Sequence, residues 1–250
     1  MGGLSLTRVR NNAFRENRET VIDDEELGKA LDKANKIKDE YFRLRALAVL
    51  SLLRLCGKRR GEISWIPLDN FKIENNFLTV LFTLEKKKQK HKRCPSCETK
   101  NSKESMFCKK CGFSLSNVAL TFTAKQSKAS KAFQLTDPLT QNILQYLNYL
   151  KSVSPLPKFW LPSGKSVFGY YVIMPEQHLS GRAVFNIVRS TSETLWPHLF
   201  RETVASDIVK QDNSIIAAFK VQKRLDLEDM RTGFSYLQRF AKDVIKRDFN

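Results

Sequence analysis

Apolar residues recur at helical spacing along most of the chain, interrupted near its middle by a stretch that alternates. Leu27, Ala30, Leu31 and Ala34 share one face of a helix that Asp23 or Asp24 can cap and that runs to about Ile37. A second, more apolar segment covers about Glu40 to Leu55 and stops at Gly57. Arg59 opens a short helix carrying Glu62, Ile63 and Trp65, and Pro67 ends it. Phe77 to Leu84 is rich in β-branched and aromatic residues and reads as a strand. Val118 to Thr123 resumes strand character, with Lys131 to Leu135 as its expected hairpin partner. Pro138 starts a helix with Leu139, Ile143, Leu144, Leu147 and Leu150 on one side, and a loop follows with Pro155, Pro157, Pro162 and Gly164. Three helices are expected at about 180–190, 197–210 and 213–222. The last segment carries Tyr236, then a tail with Phe240, Val244 and Ile245 on one face. Residues 1–22 show little periodicity and read as a flexible basic arm (Arg8, Arg10, Arg15, Arg18). The pattern predicts an α+β fold, mainly helical, with a small antiparallel sheet.

Charge narrows the partner. The 250 residues carry a net charge of +17, far from ordinary surface balance, and point to a polyanion. The densest run is Lys86, Lys87, Lys88, Lys90, Lys92 and Arg93, all candidates for phosphate contact. No apolar run reaches the roughly 18 residues a membrane span needs. The richest, Ala46 to Leu55, is broken by Arg54, so no membrane partner is expected. The start of the chain lacks the apolar segment of a secretion signal.

Four of five cysteines form two Cys-x-x-Cys pairs, Cys94/Cys97 and Cys108/Cys111, separated by ten residues. Two thiolate pairs on tight turns make a closed tetrahedral sulfur site, which suits a structural zinc ion. With four thiolates present, His91 is left out of the ligand set, and no open position remains for metal-assisted chemistry. The expected insertion, basic loop plus zinc ribbon, spans 85–116. Cysteines used this way suit a reducing compartment, here the cytoplasm.

The remaining chemistry lies in residues far apart in sequence. Gly57-Lys58-Arg59-Arg60-Gly61-Glu62 follows the apolar helix, His198 and Arg201 stand three apart on a later one, and Tyr236 comes last. A phenol can attack phosphorus, and guanidinium groups can hold the charge that builds on the non-bridging oxygens. Glu62 shares a helical face with Arg59 and is placed to orient it.

The order of these motifs resembles the tyrosine recombinase (phage-integrase-type) catalytic domain over residues 23–250. Its Gly-x-Arg-x-x-Glu box is matched by Gly57, Arg59 and Glu62, its His-x-x-Arg box by His198 and Arg201, and its nucleophile by Tyr236. The resemblance implies cleavage of double-stranded DNA through a 3′-phosphotyrosine, with no catalytic metal or nucleotide cofactor, by a homo-tetramer on paired sites. It also implies a general-acid lysine on a hairpin, with Lys125 in the nearest place, Lys128 second and Lys131 a further contender. Type IB topoisomerases share this chemistry, and a non-catalytic zinc-ribbon DNA-binding protein on the same scaffold is a third reading.

Two departures stand out. The family carries a His, Trp or Lys about nine residues before the tyrosine, where this chain has Leu227; Lys223 or Arg224 can fill the role from one turn earlier. Members that act alone also carry a helical DNA-clamping domain ahead of the catalytic one. The chain is therefore expected to be a fragment, or a reduced form gripping DNA through its ribbon and basic loop.

Overall fold

The computed structural model describes residues 21–85, 89–123, 126–212 and 214–241. They fall into two compact units, one built from the segments up to Val80 and from Lys131 onward, the other from Leu81–Ser130. The second unit is wider than the 85–116 of the expected insertion.

Helix α1 (Asp24–Asn35) begins where the Asp23 carboxylate accepts from the Glu26 amide. Helix α2 (Glu40–Cys56) is capped likewise, Asp39 accepting from the Phe42 amide at 3.0 Å. Every residue from Ala46 to Leu53 is buried, so α2 is the helix around which the first unit is built. It ends at Gly57, whose φ of 60° is left-handed. A Cβ there would also stand 2.7 Å from Leu225 and 3.1 Å from Val204, so glycine is required twice over. The chain turns at once into α3 (Arg60–Ser64), which places the first box at the C-terminal end of α2.

Strands β1 (Phe71–Glu74) and β2 (Phe77–Glu85) form a hairpin through Asn75 and Asn76, both at positive φ, as a type I′ turn demands. Within the second unit lie β3 (Gln89–Arg93), β4 (Lys100–Ser102) and β5 (Leu120–Thr123), in the order β4-β3-β5. Strand β6 (Gln126–Gln134) instead joins the first sheet, in the order β1-β2-β6. The expected pairing of 118–123 with 131–135 is therefore wrong. The ribbon closes on itself, so the strands that flank it, β3 and β5, meet each other, and the strands outside them pair in turn. Alternation identifies a strand but carries no information on its partner.

Helix α4 (Pro138–Ser152) packs on α2. The stretch expected to be a proline-rich loop contains part of a second hairpin, β7 (Pro162–Val167) and β8 (Tyr170–His178). Pro162 and Gly164 hid it, and each has a local reason. Pro162 stands first in its strand, where a proline is tolerated. Gly164 leaves room for the Tyr171 ring, which would lie 2.4 Å from an added Cβ. Tyr171 in turn stacks on Tyr41 of α2, ring centres 5.5 Å apart.

Four helices complete the described residues: α5 (Gly181–Thr191), α6 (Pro197–Gln211), α7 (Ile216–Leu225) and α8 (Met230–Phe240). Val204, Ala205, Val209, Ala217, Ala218, Val221, Leu225, Leu227 and Leu237 form one core among the last three. Gly233 lets α8 approach α7 so closely that a Cβ would stand 2.5 Å from the Ala218 carbonyl oxygen. Alanine in mid-helix ordinarily gains about 1 kcal/mol over glycine. Here the backbone clash dominates, and Gly233→Ala is expected to lower stability by about 1–3 kcal/mol, as overpacking does. A denaturant melt of the purified variant checks the sign. No helix among the described residues is long and apolar enough to cross a membrane.

Candidate active site

Three chain segments meet at the C-terminal end of α2. Arg59 supplies the N-cap of α3, and the Glu62 carboxylate accepts both from its backbone amide at 2.9 Å and from its Nη1 at 3.0 Å. Glu62 is buried while the Arg59 side chain remains half exposed, so the guanidinium is fixed at its base and open at its face.

Arg201, on α6, is 2% exposed. Its Nη1 donates to the Gly57 carbonyl and its Nη2 to the Leu225 carbonyl, each at 2.8 Å. The two acceptors belong to the end of α2 and the end of α7, so one guanidinium ties together three helices. Burial lowers the Arg201 pKa, and neighbouring Arg59 lowers it further; Tyr236 and Glu62 act in the opposite sense. The helix that carries Tyr236 packs against the Arg201 helix, and Glu202 of α6 pairs with Arg239 of α8 at 3.1 Å. Tyr236 sits half-buried on α8, against the helical core, with its ring parallel to Phe240 at 6.3 Å.

His198 is one turn before Arg201 on the same face. Its side chain is 61% exposed, and the desolvation of its remaining face lowers its pKa; Glu202 opposes this, while Arg201, Arg59 and Arg239 push it down further. Glu202 faces His198 Nε2 at 3.6 Å and accepts from Arg239 of α8 at 3.1 Å. That carboxylate links the histidine helix to the tyrosine helix, and sequence reading passed over it. Its only signal was the i,i+4 spacing from His198.

Arg59, Glu62, His198, Arg201 and Tyr236 are thus gathered in one place. Arg224 goes elsewhere: its Nη2 donates to the Leu55 carbonyl at 2.6 Å, and its guanidinium lies 5.8 Å from the Phe133 ring centre. Lys223 is exposed, and Leu227 is part of the core. Lys125 lies outside the described residues, as do Lys86, Lys87 and Lys88. Lys128 is exposed within the second unit.

Lys131 has a different occupation. Its Nζ donates to the Lys223 carbonyl at 2.9 Å and pairs with Asp226 at 3.2 Å. Asp226 also pairs with Lys58, whose side chain is 0% exposed. One carboxylate at the left-handed C-cap of α7 thus serves two lysines, one from the first box and one from β6. Burial lowers the Lys131 pKa, with Lys58 and Arg224 adding to the effect and Asp226 opposing it. Neither Lys58 nor Asp226 was marked by the sequence as more than part of a charged run.

In the second unit the four cysteine sulfurs lie within 4.8 Å of one another. Cys94 faces Cys111 and Cys97 faces Cys108, each pair at 3.5 Å, too long for disulfides and suited to sharing one ion. Burial would raise the Cys108 thiol, but amide N–H groups of Cys111 and Lys110 and the neighbouring thiols bring it down to about 6. The Lys110 amide points at that sulfur from 3.5 Å, and Asn101 braces the turn by accepting from the Lys109 amide at 2.9 Å. On β3, Lys92 donates to the Ser105 carbonyl at 3.1 Å and Arg93 faces Glu98 at 3.8 Å. Lys90 is on the same strand.

A zinc-ribbon domain family matches residues 93–115, which contain all four cysteines. No curated protein matches the chain. Among solved structures, XerH site-specific recombinase bound to difH substrate aligns with a TM-score of 0.54 at 13% identity, over 91% of this chain and 52% of that one. XerA recombinase aligns at 0.53 and 11% identity, over 93% and 64%. The chain has the tyrosine-recombinase fold. The Tn1549 transposon integrase in complex with transposon right end DNA aligns at 0.50 and 11% identity, over 92% of this chain and 67% of that one. The chain thus spans about half to two-thirds of the length of the recombinases it resembles, and it carries an inserted zinc ribbon.

Proposed function

We propose that this chain breaks and rejoins DNA strands at specific sites, with Tyr236 as nucleophile. The observation that carries the proposal is the convergence of Arg59, held by the buried Glu62, with His198 and Arg201 of α6 and with the helix that bears Tyr236, joined to α6 by the Glu202–Arg239 pair, on a recombinase fold. In the forward step the Tyr236 oxygen bonds to phosphorus, the 5′-oxygen leaves with a proton, and the 3′-phosphate remains on the enzyme. The reverse step, with a new 5′-hydroxyl, reseals the strand. Bond energy is held in the phosphotyrosine, so the cycle needs no nucleotide.

Arg59 and Arg201 hold the non-bridging oxygens, for which a planar guanidinium fork is suited. The buried Glu62 keeps Arg59 oriented. His198 accepts the tyrosine proton or donates to the phosphate. Lys125 is the proposed acid for the leaving oxygen, with Lys128 as its competitor; Lys131, held by Asp226, serves the architecture instead. The lysines and arginine of 86–93 grip phosphates of double-stranded DNA. A structural zinc ion on Cys94, Cys97, Cys108 and Cys111 would supply the cross-link that folds the ribbon and has no part in bond breaking. A tetramer on paired sites completes the reaction.

A nicked duplex that releases a short 5′-hydroxyl fragment traps the intermediate. Wild-type protein is expected to form a denaturation-resistant adduct, and Tyr236→Phe none; equal yields, or none from either, refute the assignment. A supercoiled plasmid without a specific site separates the readings further, since a relaxing topoisomerase would unwind it and a site-specific recombinase would not.

The rate of adduct formation should also carry His198's signature. A lowered pKa keeps the imidazole neutral below its ordinary 6.5, so the acid limb is expected under pH 6.5. Glu202 is the neighbour that raises that pKa, and Glu202→Gln is expected to move the limb to still lower pH. A limb that stays put or moves up contradicts His198 as proton acceptor.

A further inference from the structure

The second unit carries twelve lysines and arginines against three glutamates between Leu81 and Ser130. Phosphate contact accounts for such charge but not for the apolar groups beside it. The second cysteine pair sits in a small hairpin, closed by hydrogen bonds from the Cys108 amide to the Phe113 carbonyl and from the Leu115 amide to the Met106 carbonyl, each 2.8 Å. One residue of this knuckle, Leu115, points inward and is fully buried beside Cys94 and Cys108. Others point out: Met106 is 60% exposed, Phe107 64% and Phe113 45%. Between the two phenylalanines, at the turn itself, are the exposed Lys109 and Lys110.

The ribbon buries Leu115 but leaves two aromatic rings in solvent, on either side of a pair of cations along the chain. Exposed rings next to cations form a stacking platform with a phosphate rail, the combination that binds unpaired nucleic acid. A duplex presents only the edges of its bases in the grooves, whereas an unpaired base presents its whole face. Stacking on a ring is open to any base, so the platform is indifferent to sequence. We infer that the ribbon's second knuckle binds single-stranded DNA, with Phe107 and Phe113 stacking on bases and Lys109 and Lys110 holding the backbone. It is a site separate in kind from the phosphodiester-cleaving one. The inference rests on the strand-transfer reading only for the origin of the unpaired segment, which exchange of strands between duplexes creates.

The test uses the full chain carrying Tyr236→Phe, so that no covalent chemistry intervenes, titrated against labelled oligothymidine and a labelled duplex of the same length. Phe107→Ala/Phe113→Ala is expected to weaken oligothymidine binding by about tenfold or more, and duplex binding by less than about twofold. Lys109→Gln/Lys110→Gln should reduce the slope of log affinity against log salt for oligothymidine by about 1.4. Unchanged oligothymidine affinity in the phenylalanine variant, an equal loss on both DNAs, or an unaltered salt slope in the lysine variant would overturn the inference. Metal content and circular dichroism report whether the ribbon is intact. If the double alanine variant loses its metal, Phe107→Trp carries the test: affinity for oligothymidine must hold or rise, and a fall overturns the stacking role. Loss of this binding with adduct formation intact in the catalytically competent chain would separate the two sites. The converse would condemn the cleavage reading alone.

Discussion

Arg201→Lys is expected to lose both cleavage and stability, whereas Arg59→Lys loses cleavage alone. The distinction follows from where the two guanidinium groups spend their N–H donors. Arg201 is buried and donates to the Gly57 and Leu225 carbonyls, so it closes the ends of α2 and α7 onto α6. A lysine has one head group, lacks the planar fork, and can satisfy one of those carbonyls at best. Leaving a buried acceptor unpaired costs about 1–3 kcal/mol. Removal of a preorganised donor from a phosphate site costs roughly a hundredfold to a thousandfold in rate. Arg59 pairs with Glu62, and its side chain is otherwise largely open to solvent. Its lysine variant should therefore melt near wild type while adduct formation falls by a similar factor. Thermal melts paired with single-turnover adduct rates distinguish the two. Equal melting temperatures for both variants would contradict the architectural half of Arg201's role.

Asp226→Ala should be the most destabilising single change outside the apolar core. Its carboxylate serves two lysines, one of them fully buried. Removing one partner of a buried ion pair typically costs about 3–5 kcal/mol, because the other charge loses the attraction that offset its desolvation. In a chain of this size that lowers the melting temperature by roughly 10 °C. The loss should be recoverable, because replacing a buried pair with apolar groups is often neutral. Lys58→Met in the Asp226→Ala background is expected to restore most of the stability, with Lys131 still able to reach solvent and the Lys223 carbonyl. If Lys58→Met fails to rescue, the buried charge is not what the carboxylate neutralises.

Much of this architecture was legible in the sequence, for identifiable reasons. Helices α1, α2 and α4 announce themselves through capping aspartates and apolar faces, α4 and α6 through a proline at the first turn, and Gly57 marks the end of α2. The cysteine spacing located the ribbon because four thiolates at that separation have few other uses. What was hidden depends on partners distant in sequence. The nesting of β3 and β5 inside β2 and β6 cannot be read from alternation, which any strand shares. The β7–β8 hairpin was masked by Pro162 and Gly164, residues that usually mark loops, although Gly164 is there to admit the Tyr171 ring. Glu202 and Asp226 look like ordinary surface acids along the chain. They gain meaning only because folding sets Arg239 beside one and Lys58 beside the other. Leu227 illustrates the opposite case, a departure from the family pattern that the fold turns into core.

In the proposed cycle one tyrosine oxygen forms a bond to phosphorus, and the adduct itself records which one. Trapped protein–DNA complex, digested by nuclease and protease and mapped by mass spectrometry, should carry its nucleotide remnant on the peptide containing Tyr236. A remnant on any other residue, or protein recovered unmodified from a substrate that traps the intermediate, would contradict the account.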